Sequence, residues 1–396
     1  MKGEVLGYDH FGRGIVKWNG KVVFVPYCKK GEIISFAIVD EKRQYAIGEN
    51  LEKKRSMCPF YSLCGGCQIL HLSYPEQLLF KQEKVKNILK RYTKYDYEKE
   101  IPILSTEPFF YRNKVVLHIE EDRLGFYQEE SQKLVPFAQC LLLKKEMQEA
   151  ILKLREYIQT RKGLEEAMIR ILDGQVMLVL KGKADVEEIR SFFLPFCYVL
   201  FLNGQALTKE KKLKTTIFDT TFLVSKDAFF QVNDLGLRKI YQVVLDWVKS
   251  LSCTVAFDLY CGTGTLSLLL ASYAQKVYGV ELSEEAILDA KENQGQNRIS
   301  NVSFFASDVG HFLQRNKATP DLIVVDPPRA GLAKNVRRDI KKRRPAYLIY
   351  VSCDPMTLAR DIEDLREFYL LEDVIMVDEF PNTYHVECLC LLKRKE

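Results

Sequence analysis

The chain has 396 residues, a hydrophobic fraction of 47%, eleven cysteines and a formal net charge of +5. This length exceeds one hydrophobic core, so two or three domains are expected, and the mild positive charge permits an RNA partner without requiring one. No apolar run approaches the roughly 18 residues of a membrane span, and the N-terminus lacks a signal-peptide core, so we expect a soluble cytoplasmic protein with no membrane partner. An odd number of cysteines argues against a disulfide framework.

Residues 1–52 consist of short alternating segments separated by turns. Asn19-Gly20 stands between GRGIVKW and KVVFVPY, and this dipeptide between alternating runs is a strong hairpin signal. The pattern predicts a small β-barrel of OB-like character. Such barrels bind single-stranded nucleic acid in some proteins and only tether domains in others.

The segment CPFYSLCGGCQILH places Cys58, Cys64 and Cys67 on a glycine-containing loop, which is typical of a metal site. Three ligands need a fourth. His71 is nearby and would suit zinc, whereas Cys140 lies farther along the chain and would suit a four-cysteine iron–sulfur cluster.

Residues 74–92 carry apolar positions at helical spacing and predict a helix after the cysteine loop. Residues from about 101 to 220 mix short strands and helices. The run 111–114, Tyr-Arg-Asn-Lys, combines an aromatic ring with two cations at a strand start. We interpret it either as a contact with RNA phosphates or as a solvated strand end.

From about residue 221 the pattern becomes a repeated strand, glycine turn and helix. The strand TVAFDL leads into the turn 260–265, and the next strand ends at Glu281, about twenty residues after the glycines. In a doubly wound sheet, such glycines let the backbone approach a nucleotide, and the acid accepts hydrogen bonds from ribose hydroxyls.

Two further acids, Asp308 and Asp326, end the third and fourth strands of this region. Acids at successive strand ends suit a ligand with ribose, an adenine amino group and a positive charge, and they oppose a pyrophosphate. S-adenosylmethionine fits this description better than a dinucleotide does.

Four motifs, DLYCGTGTLSL, VVDPPRAGL, YVSCDPMTLARD and FPNTYHVE, resemble those of the S-adenosylmethionine-dependent RNA uracil-C5 methyltransferases. The cysteine loop, Cys140 and a barrel of the TRAM type resemble the iron–sulfur branch of that family, which acts mostly on 23S ribosomal RNA. The resemblance covers nearly the whole chain. It implies an α/β fold in three domains and a [4Fe–4S] cluster held by Cys58, Cys64, Cys67 and Cys140.

The expected domains follow from this resemblance. Residues 1–52 would form the TRAM-like OB barrel, and residues 53–220 a central α+β RNA-binding domain with the iron–sulfur cysteines. Residues 221–396 would form a class I, Rossmann-like methyltransferase domain.

Cys353 stands at the end of a predicted buried strand, YLIYVS. Uracil C5 is a weak nucleophile, but a thiolate that adds to C6 generates an enolate that is nucleophilic at C5. The resemblance implies that Cys353 is this thiolate, and we expect the cofactor sulfonium, Arg329 and Arg360 to favour its ionised form. A base must then remove the C5 proton, and the resemblance assigns that role to Glu387.

The same resemblance implies the cofactor-binding residues, and Asp326 has a second possible role in orienting the uracil or the nucleophile. The set is Gln231, Tyr260, Thr265, Glu281, Asp308 and Asp326.

The remaining cysteines and charges have simpler interpretations. Cys388 and Cys390 alternate with Glu387 and are expected in the core on the opposite face of the last strand. The basic helix 334–344 has apolar positions at Val336 and Ile340, so its charges suit a solvated face, although we slightly favour a phosphate contact.

The predicted function is therefore methylation of a uridine in RNA, with 23S ribosomal RNA favoured and tRNA as the alternative. A uracil inside folded RNA cannot reach a pocket at a sheet edge, so we expect the target to be flipped out, and a monomeric enzyme. An alternative function is that of an amino methyltransferase, because Asp-Pro-Pro motifs occur in such enzymes too. This alternative does not explain Cys353 or Glu387. A catalytically silent RNA-binding iron–sulfur protein would leave the cofactor acids unexplained as well.

Overall fold

The computed structural model describes residues 1–52, 56–95, 99–128 and 131–396. Within these ranges the strands form a closed barrel, a seven-stranded sheet, a two-stranded hairpin and an eight-stranded sheet. The first residues of the predicted central domain, 53–55, lie outside the described residues. Among the described helices, none combines the length and the hydrophobicity needed to span a lipid bilayer.

The N-terminal unit is a closed five-stranded barrel, which confirms the predicted small β-barrel. Its strands are β1 (Lys2–Tyr8), β2 (Gly14–Trp18), β3 (Lys21–Val25), β4 (Ile33–Glu41) and β5 (Tyr45–Asn50). Asn19 and Gly20 both have positive φ, 48° and 76°, as the tight turn of the β2–β3 hairpin requires. Alternate side chains, such as Val23 and Val25, fill the barrel.

Helix α1 (Tyr74–Tyr92) follows the cysteine loop with the bounds that the sequence predicts. It begins with a capping interaction, in which the Ser73 N–H donates to the Glu76 carboxylate at 2.6 Å. Val85 of this helix is buried in the core of the eight-stranded sheet, and the short strand β6 (Ile103–Leu104) forms an edge of that sheet. This part of the chain therefore packs against the C-terminal unit.

The central unit is a seven-stranded sheet in the order β13-β12-β11-β10-β7-β8-β9 with two helices. Its elements are β7 (Lys114–Glu120), β8 (Arg123–Tyr127), β9 (Leu134–Pro136), α2 (Met147–Thr160), β10 (Leu164–Leu172), β11 (Gln175–Gly182), α3 (Val186–Phe193), β12 (Val199–Leu202) and β13 (Gln205–Ala206). Both helices pack their apolar side chains against the sheet, as Leu154 of α2 and Phe193 of α3 illustrate. A hairpin of two strands, β14 (Lys212–Ile217) and β15 (Thr220–Ser225), leads out of this unit.

The C-terminal unit is the eight-stranded sheet, in the order β18-β17-β16-β19-β20-β22-β21-β6. Its remaining elements are α4 (Asp234–Lys249), β16 (Val255–Leu259), α5 (Thr265–Leu270), β17 (Lys276–Glu281), α6 (Glu284–Gln296), β18 (Val302–Ala306), α7 (Val309–Arg315), β19 (Leu322–Val325), α8 (Lys334–Arg343), β20 (Tyr347–Ser352), α9 (Pro355–Leu365), β21 (Tyr369–Val377) and β22 (Glu387–Arg394). The strands β16 to β20 are parallel, and β22 is antiparallel to its neighbours.

Both faces of this sheet are covered, because neighbouring strand residues point to opposite cores. On β16, Ala256 belongs to one core and Phe257 to the other. On β22, Leu389 lies in the first core, while Cys388 and Cys390 lie in the second, which confirms that these two cysteines are buried packing residues. The strand order reverses beside β16, where ligands of doubly wound sheets bind at the carboxyl ends of the strands.

Candidate active site

Cys353 occupies the short connection between β20 and α9. The carboxylate of Asp354 caps α9 by accepting hydrogen bonds from the N–H groups of Met356 and Thr357 at 2.9 and 3.0 Å. Pro355 supplies a fixed φ in the first turn of the helix. The backbone on either side of Cys353 is thus fixed by the strand and by the cap, and the half-buried thiol stands at the carboxyl edge of the sheet.

Four charged side chains act on this thiol. Burial is the main cause that raises the pKa of Cys353 to about 11; the charges of Glu387 and Asp354 contribute to the increase, and that of Arg329 opposes it. Asp326 raises it as well, so the motifs at three strand ends meet around one sulfur atom. Arg360 instead donates to Asp361 and to the carbonyl of Ala330.

From the sequence we expected the surroundings of Cys353 to favour its thiolate form. The protein's own side chains do not favour that form. Desolvation outweighs Arg329, and Arg360 is engaged elsewhere, so the Cys353 thiol is protonated at neutral pH.

The predicted base, Glu387, is 4% exposed at the start of β22. Burial raises its pKa to about 8, with a further contribution from Asp326 and an opposing one from Arg329. The side chain of Asp326 is partly accessible to solvent, but the surrounding protein raises its pKa to about 7. The charge of Asp326 opposes ionisation of Glu387.

His385 lies next to Arg329, whose charge acts on the Cys353 thiol. Its Nε2 atom is 3.3 Å from the guanidinium of Arg329, and its ring contacts that of Tyr384 with centroids 4.2 Å apart. Burial, together with Arg329, lowers the pKa of His385 to about 4, so the ring is neutral at neutral pH.

The glycine turn after β16 is held against β17. Tyr260 adopts a φ of +67°, and its N–H donates to the carbonyl of Val280 at 2.8 Å. The N–H of Gly262 donates to Glu281 at 3.3 Å, and both residues line a cavity of about 340 Å³. Gly264, with a φ of +75°, leaves no room for a side chain because a Cβ there would lie 2.6 Å from the ring of Phe304.

The other predicted cofactor residues surround this turn. Asp308 caps α7, accepting from the His311 N–H at 3.0 Å, and its charge raises the pKa of Tyr260, which burial also raises. Thr265 opens α5, where its hydroxyl is 3.4 Å from that of Thr263. Gln231 is half-buried just before α4.

The four predicted cluster cysteines line one cavity of about 480 Å³ and are all free thiols. Burial raises the pKa of Cys67, and the neighbouring Cys140 raises it further. His71, the alternative fourth ligand, has both ring nitrogens engaged, Nδ1 with the Tyr61 hydroxyl and Nε2 with the carbonyl of Cys28. Over the described ranges, no group of three or more His, Cys, Asp or Glu is arranged to hold a metal ion.

Two basic segments have clear structural roles. In the run 111–114, the Tyr111 hydroxyl donates to the carbonyl of Pro381, and both Tyr111 and Asn113 are buried. The two cations, Arg112 and Lys114, are half-buried, so both interpretations stay open for them. In α8, Arg337 forms ion pairs with Asp361 and Asp364. Part of the positive charge of this helix is therefore neutralised within the protein, although the sequence analysis slightly favoured a contact with RNA phosphates.

Glu379 and Arg170 are among the buried charged residues that the sequence analysis did not single out. Glu379 is 0% exposed and neither carboxyl oxygen has a partner within the described ranges; burial, followed by the charge of Glu387, raises its pKa well above the usual range. Arg170 is 1% exposed and donates to the carbonyls of Ser225 and Ala228. For Arg170 a signal was available, an arginine inside the apolar strand AMIRIL.

Comparisons with known proteins agree with this geometry. Residues 205–395 match the family model described as tRNA (Uracil-5-)-methyltransferase. An uncharacterized RNA methyltransferase from Clostridium acetobutylicum is 34% identical over 98% of this chain and 95% of its own length, and one from Staphylococcus aureus is 30% identical over 99% and 98%.

A solved structure matches over almost the whole chain. The tRNA (uracil-54, C5)-methyltransferase of Pyrococcus abyssi, in complex with S-adenosyl-L-homocysteine, superimposes with a TM-score of 0.83 at 25% identity, covering 99% of this chain and 100% of that one. This chain therefore belongs to the RNA uracil-5-methyltransferase family and is an S-adenosylmethionine-dependent enzyme of that family.

Proposed function

We propose that the enzyme methylates C5 of one flipped-out uridine through a covalent bond between Cys353 and uracil C6. The observation that carries this proposal is that Glu387, Arg329 and Asp326 all act electrostatically on the Cys353 thiol, and that the Asp326 N–H is 3.4 Å from the carbonyl of Leu259, at the end of the strand that leads into the glycine turn. An amino methyltransferase would need neither the thiol nor the base, and the family assignment disfavours it.

The reaction begins with addition of the Cys353 thiolate to C6, which places negative charge on the uracil O4 and makes C5 nucleophilic. C5 then attacks the methyl group of the sulfonium, and S-adenosylhomocysteine leaves as the neutral thioether. Glu387 takes the C5 proton, the C5–C6 double bond re-forms, and the Cys353 thiolate departs. Because Arg329 lowers the pKa of the thiol, it also stabilises that leaving thiolate.

The cofactor would lie against the glycine turn. Glu281 would bind the ribose hydroxyls, as an acid at the end of the second strand does in doubly wound sheets. Tyr260, Asp308 and Asp326 would complete the site at the strand ends, with Thr265 and Gln231 at its border.

The substrate we favour is 23S ribosomal RNA, because the cysteine loop and the barrel resemble the branch that acts on it. A tRNA is the second candidate, and the specific observation in its favour is the full-length similarity to the Pyrococcus abyssi tRNA enzyme. In either RNA the target uridine must be unpaired or extruded to reach Cys353.

We also propose that Cys58, Cys64, Cys67 and Cys140 hold a [4Fe–4S] cluster. The support is chemical: four free thiols line one cavity, and three cations, Arg112, Lys114 and Arg170, line it with them. A four-cysteine cluster carries net negative charge, which these cations would offset. The cluster would shape the central unit and help to place RNA, with no redox step in methyl transfer.

The substrate is tested by transfer of labelled methyl from S-adenosylmethionine to unmodified 23S ribosomal RNA fragments and tRNA transcripts. We expect one of the two to accept label, and we expect Glu387→Gln to accumulate an adduct with that RNA because the C5 proton stays in place. Methylated product released by Glu387→Gln at the wild-type rate would refute the assignment of the base.

A further inference from the structure

A further cavity, of about 340 Å³, lies between the barrel and the loop that precedes β22. Phe11, Arg13 and Tyr27 line it from the barrel, Gln68 from the segment after the cysteine loop, and Tyr384 from the methyltransferase domain. Its volume is sufficient for one nucleobase. None of the roles assigned above uses this cavity.

The cavity has aromatic walls. The rings of Phe11 and Tyr384 meet edge to face, with centroids 5.3 Å apart and planes at 82°. Phe11 is 41% exposed although it is a large apolar residue, and it stands on a turn that Asp9 fixes by accepting from the N–H groups of Phe11 and Arg13, each at 2.9 Å. A rigid, accessible ring of this kind is a platform on which any base can stack.

One residue of the cavity wall, Gln68, has a polar side-chain atom without a partner among the described residues. The side-chain oxygen of Gln68 is buried and accepts no hydrogen bond within the described ranges, while its amide nitrogen donates to the carbonyl of Gly65 at 2.7 Å. That bond fixes the orientation of the amide, so the free oxygen can only accept. Its natural partner is an N–H group on the edge of a base.

Positive charge lies beside the aromatic wall. The ammonium of Lys84 is 5.2 Å from the centre of the Tyr384 ring and donates to the Tyr384 carbonyl at 2.9 Å. In the described part of the chain no carboxylate forms an ion pair with Lys84, and burial lowers the pKa of its ammonium to about 8; a bound phosphate would favour its charged form. Arg13, which stacks on Phe11, is in contrast neutralised by Asp9.

A chain of contacts links this cavity to the nucleophile. Tyr384 contacts His385, which lies 3.3 Å from Arg329, and Arg329 acts on the Cys353 thiol. An RNA strand that delivers a uridine to Cys353 therefore has its neighbouring nucleotides close to Tyr384.

We propose that this cavity binds one unpaired base of the RNA substrate, adjacent to the methylated uridine, by stacking on Phe11 and Tyr384 and by an N–H bond to Gln68. The proposal rests on the proposed RNA substrate and extends it to a residue-level site for sequence selection. A site of this type discriminates the neighbouring nucleotide and not the target.

The test is a double-mutant cycle between the protein and the RNA that it methylates. Phe11→Leu and Tyr384→Leu remove a ring but keep apolar volume, and an abasic nucleotide replaces, in turn, each base flanking the target. We expect either substitution to raise the Kd and KM for intact RNA roughly five- to one-hundredfold, with a smaller effect on kcat. When the abasic nucleotide replaces the base that the cavity binds, the same substitutions should cause no further rise in Kd or KM.

Tyr198→Leu is the matched control, because Tyr198 is 43% exposed and does not line the cavity. Equal Kd values for the wild type and both cavity variants would overturn the proposal. Fully additive losses of affinity at every abasic position would overturn it as well. Neither result would affect the conclusion drawn from methyl transfer. If neither 23S ribosomal RNA nor tRNA accepts methyl, a single-stranded oligoribonucleotide containing 2-aminopurine tests the cavity alone. Quenching of the 2-aminopurine fluorescence by the wild type that is lost in Phe11→Leu supports base binding in the cavity. Quenching of equal size by both proteins overturns the proposal.

Discussion

At the scale of single residues, the site holds its reactive groups in their neutral forms. Burial raises the pKa of the Cys353 thiol to about 11 and that of Glu387 to about 8. A cationic cofactor beside these groups would lower both values, because a nearby positive charge favours a thiolate and a carboxylate. In the proposed mechanism, cofactor binding would thereby activate Cys353.

The first prediction concerns the pH dependence of product release. Glu387 must be ionised to accept the C5 proton, and its ionised fraction grows as the pH rises toward about 8. The rate at which the methylated adduct breaks down should therefore rise with pH and level off above about pH 8. With the cofactor bound, the rate should level off at a somewhat lower pH. Rapid-quench measurements on a single turnover test this, and a rate that falls with rising pH over that range would contradict the role of Glu387.

The second prediction concerns Glu379, whose buried carboxyl has a folded-state pKa well above the ordinary value of 4.5. The folded chain then binds this proton more tightly than the unfolded chain, so Glu379 destabilises the fold progressively as the pH rises above about 4.5. Glu379→Gln should increase the free energy of unfolding by about 1–3 kcal/mol at neutral pH and by much less in acid.

Urea denaturation at about pH 5 and about pH 8 measures this difference. The exposed Glu367→Gln is the control and should show no pH-dependent gain. A loss of stability in Glu379→Gln that grows with pH would show that the buried carboxyl has a stabilising partner.

At the scale of the elements, strand ends and helix caps position the chemistry. The sequence predicts α1 with its observed bounds because the apolar positions follow helical spacing and the last turn is basic, and the structure adds the capping interaction between Ser73 and Glu76. It also predicts the acids that end β17 and β19. It does not predict β6, because two residues carry no periodicity and their pairing with β21 joins segments far apart in the chain.

The third prediction concerns the cap of α9. Asp354→Ala should lower stability by about 1 kcal/mol and should also lower kcat, because the capped turn fixes the backbone of Cys353. Asp185→Ala is the matched control, because Asp185 caps α3 of the central unit by accepting from the Glu188 N–H at 2.9 Å, whereas Cys353 belongs to the C-terminal unit. We expect a similar loss of stability in the control and unchanged methyl transfer; equal kcat values in the two variants would contradict the positioning role.

At the scale of the whole molecule, the cysteine cavity joins segments of different units. The cysteine loop, strand β7 and the segment before α4 all contribute to its walls. The sequence pointed to the four cysteines through their spacing and the family resemblance. The cations around them were not predicted, because Arg170 is brought there by the pairing of β10 with β7.

The fourth prediction separates the two candidate metal sites. Cys140→Ser should lose most of the iron and acid-labile sulfide of the anaerobically purified protein and should lower its Tm, since the cavity joins several segments. His71→Ala should keep both iron and sulfide, because the imidazole is bonded to Tyr61 and Cys28. Zinc in the wild type that is lost in His71→Ala would contradict the cluster.

The central claim, covalent catalysis by Cys353, is tested most directly with RNA containing 5-fluorouridine and labelled S-adenosylmethionine. Fluorine at C5 cannot leave as a proton does, so the C6 thioether should accumulate as a labelled protein–RNA complex that resists denaturation. We predict this complex for the wild type and none for Cys353→Ala, with the RNA that forms it identifying the substrate. Methyl transfer by Cys353→Ala, with no trapped complex in the wild type, would contradict the mechanism.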